Sequence, residues 1–146
     1  MAGKVNLELV SPEKILLAQE VDMVVVPGTE GYFGVLPGHA PLISSIRPGT
    51  IDVYEGKVIA ERIFVAGGFA EVTNKRCTVL ADEAIRLAAI DRPAVEAELA
   101  EAKARISALQ AAEGSTEKAQ LRAAERAQIV AQAKLDAISR GKTADH

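Results

Sequence analysis

Polar and apolar residues alternate from the start of the chain. Val5, Leu7 and Leu9 are separated by Asn6 and Glu8, the period of two that predicts a strand with one wet face. Ser11-Pro12 turns the chain, and residues 15–26 read as one long β-prone segment. Within it Glu20 and Asp22 alternate with Val21 and Met23, and the run Met23-Val24-Val25-Val26 reads as buried on both faces. Further on, apolar stretches at 42–46, 51–54, 58–65, 69–73 and 77–80 are divided by Pro48-Gly49, Glu55-Gly56, Gly67-Gly68 and Asn74-Lys75. Each joint is a hairpin signal. Eight to ten short strands with turns at such close spacing predict an antiparallel β-sandwich or flattened barrel.

The period changes near Ile90. From Asp91 onward alanine dominates, β-branched residues are scarce, and charges recur every three or four positions, which is the composition of helix. Asp91 suits an N-cap, and Pro93 falls in a first turn, where its missing N–H leaves no bond unmade. Gly114-Ser115 separates two runs, so the pattern predicts helices over about 92–112 and 116–139, folded as an antiparallel hairpin. Val95, Leu99, Ala102, Ile106 and Leu109 form one narrow stripe, and Leu121, Ala124, Ala131, Leu135 and Ile138 another. A seam this rich in alanine buries little apolar area, so the hairpin is expected to be marginally stable and able to dock or open. Glu96, Glu98 and Glu101 precede Lys103 and Arg105, which complements the helix dipole and offers a Glu101–Arg105 pair. Lys118, Arg122 and Arg126 recur every four residues, with Ile129 and Val130 on the same broad side. They read either as a solvated face or as a docking strip for an acidic partner.

Composition narrows the possibilities. The chain has 146 residues, enough for one ordinary domain or a small domain with an appendage, and its 49% hydrophobic content suffices for a core. Aromatic residues are only 3%, so Val, Ile, Leu and Ala must fill that core, and a stacking surface for nucleic acid is not expected. A formal charge of −3 gives no global attraction to nucleic acid or anionic lipid. The single cysteine, Cys77, cannot form an internal disulfide and has the strand parity of Val79, which predicts a small buried hydrophobe. No signal-peptide core or spanning run is present, so membrane association is expected only through other proteins. No metal site or cofactor is implied.

Residues 24–46 hold four glycines and three prolines between short apolar runs, marking reversals where positive or fixed φ is wanted. Gly28, Gly31 and Gly34 lack the lysine and hydroxyl of a phosphate loop and lead into a strand. His39 and His146 have no neighbouring nucleophile and orienting carboxylate, and His39 reads as a turn or subunit-contact residue. Asp82 and Glu83, if adjacent in a strand, point to opposite faces and cannot share acid–base work.

The wording of the same stretch resembles a known family. Val26-Pro27-Gly28-Thr29-Glu30-Gly31, then Gly34-Val35-Leu36-Pro37-Gly38-His39-Ala40-Pro41-Leu42, then Pro48-Gly49, Gly67-Gly68 and Thr78-Val79-Leu80-Ala81-Asp82-Glu83-Ala84, is similar to the epsilon subunit of F-type ATP synthase, called delta in mitochondria. The likeness is strong over residues 4–90. It implies a β-sandwich domain over 1–88 that binds the central stalk and rotor ring, and a two-helix regulatory domain over 89–146. The chain would then be a non-catalytic rotor subunit with the gamma subunit and the c-ring as partners, on the cytoplasmic face of the membrane. Glu30, Tyr32 and His39 carry over as contact residues for gamma or the c-ring, Tyr32 standing where family members often have an acid. Lys118, Arg122 and Arg126 would let the helices reach the alpha/beta catalytic head and restrain ATP hydrolysis. Family members that bind ATP use Ile/Leu-Asp-x-x-Arg-Ala. Here Ile90-Asp91-Arg92-Pro93-Ala94-Val95 lacks that arginine, so Asp91, Arg122 and Arg126, with Arg92 as a further substitute for the missing guanidinium, are the remaining nucleotide candidates, and weak binding or none is expected. A stand-alone adaptor, or a ligand-binding protein or enzyme built on the sandwich, would share much of the same patterning.

Overall fold

The computed structural model describes residues 3–111 and 118–143. The chain forms two compact units, residues 1–89 and 90–146.

The first unit contains ten strands: β1 (Val5–Val10), β2 (Ile15–Val21), β3 (Met23–Gly28), β4 (Gly31–Val35), β5 (Leu42–Ile46), β6 (Gly49–Glu55), β7 (Val58–Val65), β8 (Gly68–Val72), β9 (Arg76–Ala81) and β10 (Ala84–Arg86). Hydrogen bonding follows the order β10-β7-β6-β3-β5-β8-β9-β1-β2, with β4 also on β3. A single residue pair, Gly28 opposite Ile46, joins β3 to β5. The path therefore folds into two layers, one holding β10, β7, β6, β3 and β4, the other β5, β8, β9, β1 and β2. Val24, Val26, Ile51, Val53, Ile63 and Val65 from the first layer meet Leu7, Leu9, Val72, Cys77 and Val79 from the second, all buried. Small aliphatic side chains thus fill the core, as a chain poor in aromatics requires.

Three local features differ from the expectation. Residues 15–26 are two strands, because the chain turns a corner at Asp22. There its N–H donates to the Tyr54 carbonyl at 3.1 Å, and its carboxylate accepts from the Gly56 N–H. Of the run expected to be buried on both faces, Val24 and Val26 are buried, while Met23 and Val25 keep partial exposure. Finally, β1 lies parallel to β9, Leu7 beside Cys77 and Leu9 beside Val79. This pairing between distant parts of the chain inserts the first strand between β9 and β2, and no local pattern announces it.

The second unit holds α1 (Arg92–Ala111) and α2 (Lys118–Thr143). Asp91 opens α1 by accepting the Val95 N–H on its carbonyl at 3.0 Å. The helices run antiparallel, since Arg92 donates from Nη2 to Ser139 Oγ at 3.2 Å and Lys134 Nζ lies 3.9 Å from Glu98. Val95, Ala102, Ala124, Ala131 and Ala137 are buried, while Leu99, Ile106, Leu109, Leu121, Leu135 and Ile138 are half-buried. Lys134 is buried beside these alanines, its stem covering apolar surface while its ammonium reaches the carboxylate at the rim. Glu101 and Arg105 pair at 3.0 Å on the exposed side of α1. Gly114 and Ser115 lie outside the described residues, as does His146.

The Asp22 corner has a pH signature. The Gly56 N–H, helped by the Lys4 ammonium 3.5 Å away, holds this carboxyl below its ordinary value of 3.8. A depressed carboxyl stabilises the fold above the unfolded pKa, and that contribution disappears as pH falls through the folded value. Thermal melts of Asp22→Asn are therefore expected to lie below those of the unaltered chain at pH 7. The two should converge below about pH 4; a constant gap across the range would remove the ionic role.

Candidate functional site

At one end of the sandwich, Gly28 pairs with Gly31 across the β3–β4 hairpin, leaving a two-residue loop of Thr29 and Glu30. Gly31 has φ near 132°, closed to ordinary side chains, and a Cβ on Gly28 would fall 2.9 Å from the Gly31 carbonyl oxygen. The tip is therefore tight, with Glu30 exposed on it. Tyr32 stands opposite Pro27 and keeps 40% of its surface. Arg47, from the β5–β6 link, reaches this hairpin three ways. Its backbone N–H donates to Pro27 at 2.9 Å, its Nε donates to the Gly28 carbonyl at 3.2 Å, and its guanidinium sits 4.7 Å from the Tyr32 ring centroid.

His39 is elsewhere. It follows β4 where Tyr32 begins it, so the two lie at opposite ends of that strand. The His39 N–H donates to Leu36 at 3.1 Å, and Nδ1 lies 2.6 Å from the Ala40 carbonyl, which places a proton on Nδ1. Gly38, at φ 84°, ties this loop to Asn74 on the β8–β9 turn at 2.8 Å. Glu30 and Tyr32 are thus brought together and His39 is not.

Lys118, Arg122 and Arg126 are exposed along α2, with exposed Ile129 beyond them. Asp91 lies at the other end of the hairpin, beside Ser139. At 1.5 Å of rise per residue, Arg126 is roughly 20 Å from that end and Arg122 farther still, so no common nucleotide pocket joins the three. Arg92, the nearer arginine, is engaged by Ser139. Burial pushes the Cys77 thiol up to about 12, which fits an inert core residue. Asp82 and Glu83 occupy the turn between β9 and β10, outside any strand. Among the described residues no group of His, Cys, Asp and Glu is placed to hold a metal ion, and no helix is long and apolar enough to cross a membrane.

Strand pairing brings together a surface that the sequence did not single out. In the β5, β8, β9, β1, β2 layer the register aligns Ser45, Phe69, Leu80, Val10 and Ile15 in one row across the strands. This row faces away from the core. Phe69 is 58% exposed, Leu80 55% and Ile15 62%, with Ile43 diagonally adjacent at 73%. Three strand steps separate Phe69 from Ile15, roughly 14 Å, about the length of two to three turns of helix. The next row carries Glu71 and Glu8 on either side of Thr78. An apolar strip with an acidic border thus lies uncovered on this face of the sheet.

The sequence signature described as "ATP synthase, Delta/Epsilon chain, beta-sandwich domain" matches residues 4–87. The ATP synthase epsilon chain of Rhodospirillum centenum is 50% identical over 150 residues, spanning 99% of both chains. The chain belongs to the ATP synthase delta/epsilon family. Solved relatives share the fold. One is a chain in the cryo-EM structure of the Euglena gracilis mitochondrial ATP synthase comprising OSCP, F1 and c-ring, with TM-score 0.77 at 24% identity, covering 94% of this chain and 83% of that one. Another comes from the central stalk and c-ring of the Tetrahymena thermophila mitochondrial ATP synthase, with TM-score 0.58 at 16% identity, covering 94% and 98%. The Tyr32 hairpin, His39 and the apolar row all fall within the family's sandwich domain.

Proposed function

We propose that this chain is a central-stalk rotor subunit of an F-type ATP synthase, joining gamma to the c-ring and carrying no active site of its own. The observation that carries this reading is the exposed row of Phe69, Leu80, Val10 and Ile15, which we assign to gamma. Its length suits a helix lying across the strands, and its Glu8 and Glu71 border favours a partner with basic flanks. The β3–β4 hairpin, bearing Glu30 and Tyr32, is the part we assign to the c-ring. His39, at the opposite end, is left to a separate subunit contact. Through these partners the chain would be held at the cytoplasmic face of the membrane. The family relationship and the relatives' occurrence in central-stalk and c-ring assemblies support the assignment.

The helical unit supplies the regulatory half of the proposal. Its alanine seam buries few large side chains, so two docking modes can differ by only a few kcal/mol. In the extended mode, Lys118, Arg122 and Arg126 would meet acidic groups of the alpha/beta head and restrain ATP hydrolysis. Nucleotide binding is expected to be weak or absent, because Asp91 and the two arginines lie at opposite ends of the hairpin.

Two experiments test these halves. Phe69→Glu combined with Leu80→Glu, both outside the core, should weaken gamma binding by at least a hundredfold, as expected from forfeiting about 1.5–3 kcal/mol for each of two large apolar side chains; unchanged affinity would remove the row from the interface. Deleting residues 91–146 should leave the complex assembled and raise its ATP hydrolysis. An assembled but equally slow complex would show that the helices are no brake.

A further inference from the structure

The hairpin tip does not hold Tyr32 by itself. A two-residue loop fixes where Glu30 points, but Tyr32 lies beyond it on β4, and its ring is placed by a residue from another connection. Arg47 is that residue. Its main chain is tied to Pro27, its Nε to the Gly28 carbonyl, and its guanidinium to the ring, at 2.9 Å, 3.2 Å and 4.7 Å from the centroid. Thr29 adds a fourth tie, donating its N–H to the Ser45 carbonyl at 3.0 Å. The close approach extends to Gly49, where a Cβ would fall 2.9 Å from Pro27 Cβ and 3.3 Å from the Tyr32 hydroxyl oxygen. Pro27, Tyr32 and Arg47 are therefore packed as one block in which Gly49 supplies the room.

We propose that Arg47 is a positioning residue for the rotor contact: it holds the Tyr32 ring so that the β3–β4 hairpin presents an aromatic surface to its partner beside the Glu30 tip. The inference rests on reading this hairpin as the part that meets the c-ring. The guanidinium satisfies one face of the ring electrostatically, and the 40% of Tyr32 that stays exposed is what a partner meets. The partner chemistry that fits is a loop offering apolar or backbone surface to a phenol. A contact of this kind keeps its strength in salt, whereas one built on opposite charges is screened.

The test is a double-mutant cycle on the full chain, measuring affinity for a purified gamma–c-ring complex at low and high salt. Tyr32→Leu should weaken binding by the same factor at both salt concentrations, and Tyr32→Phe should retain it. Arg47→Gln should cost about two- to fivefold in affinity, the size of an exposed cation–π contact. Its effect should vanish in the Tyr32→Leu background. Arg47→Lys keeps the cation without the bond from Nε to Gly28, and should fall between Arg47 and Arg47→Gln. Upfield-shifted Arg47 side-chain proton resonances in the unaltered chain, lost in Tyr32→Leu, report the stacking directly. An equal Arg47→Gln effect in both backgrounds, or unshifted Arg47 resonances, would overturn the positioning role alone. Unchanged binding by Tyr32→Leu with the shift present would overturn both the inference and the rotor-facing reading of the hairpin.

Discussion

Everything on the outer face of the sandwich follows from the register between β8, β9 and β1. Burial of Leu7, Leu9, Val72, Cys77 and Val79 stabilises the fold by about 1.5–3 kcal/mol for each large aliphatic side chain. Because successive strand residues alternate faces, the same register obliges Phe69, Leu80 and Val10 to point outward, and the register shift beside Val10 brings Ile15, two residues before the buried Leu17, onto that outer face. A slip of one residue would exchange the two sets and leave the core poorly filled. The exposed row cannot move independently of the core, so the surface offered to a partner is as rigid as the sandwich. That is the mechanical property a subunit passing rotation between two others needs.

The two units differ in how they are held. The sandwich closes on fully buried valines, leucines and isoleucines from both layers. The helical hairpin closes mostly on alanines, with Lys134 buried among them and Glu98 as its partner at the rim. Alanine lets backbones come close but contributes little area, and the lysine in the seam covers apolar surface only with its stem. A firmly packed sandwich and a weakly sealed hairpin are what the proposed division of roles requires, coupling in the first unit and regulation in the second.

How much of this was legible in the sequence depends on the range over which each feature is encoded. The β3–β4 hairpin could be read because Gly28 and Gly31 bracket a two-residue loop, and the α1 stripe because Val95, Leu99 and Ala102 recur at helical spacing. Asp22 was missed as a corner since its partners, Tyr54 and Gly56, come from a different hairpin. The apolar row was invisible for a related reason. Phe69-Ala70 and Val79-Leu80 place apolar residues on both parities, which reads as burial on two faces until the pairing shows that one face is uncovered. Arg47 gave no local sign of reaching Tyr32, nor Lys134 of reaching Glu98 on the other helix. Glu30, Tyr32 and His39 were grouped through the family resemblance, which does not say where they lie in space; β4 carries His39 to the opposite end of that strand from Tyr32.

The central claim is that the Phe69–Leu80 row is the surface through which this rotor subunit meets gamma. The most direct measurement is site-specific photo-crosslinking in the assembled ATP synthase, with the reactive side chain placed at Leu80 and, for comparison, at the still more exposed Val58 on β7. Adducts from Leu80 to gamma, with few or none from Val58, are the predicted result. Adducts from Leu80 only to other subunits, or none at all, would contradict it.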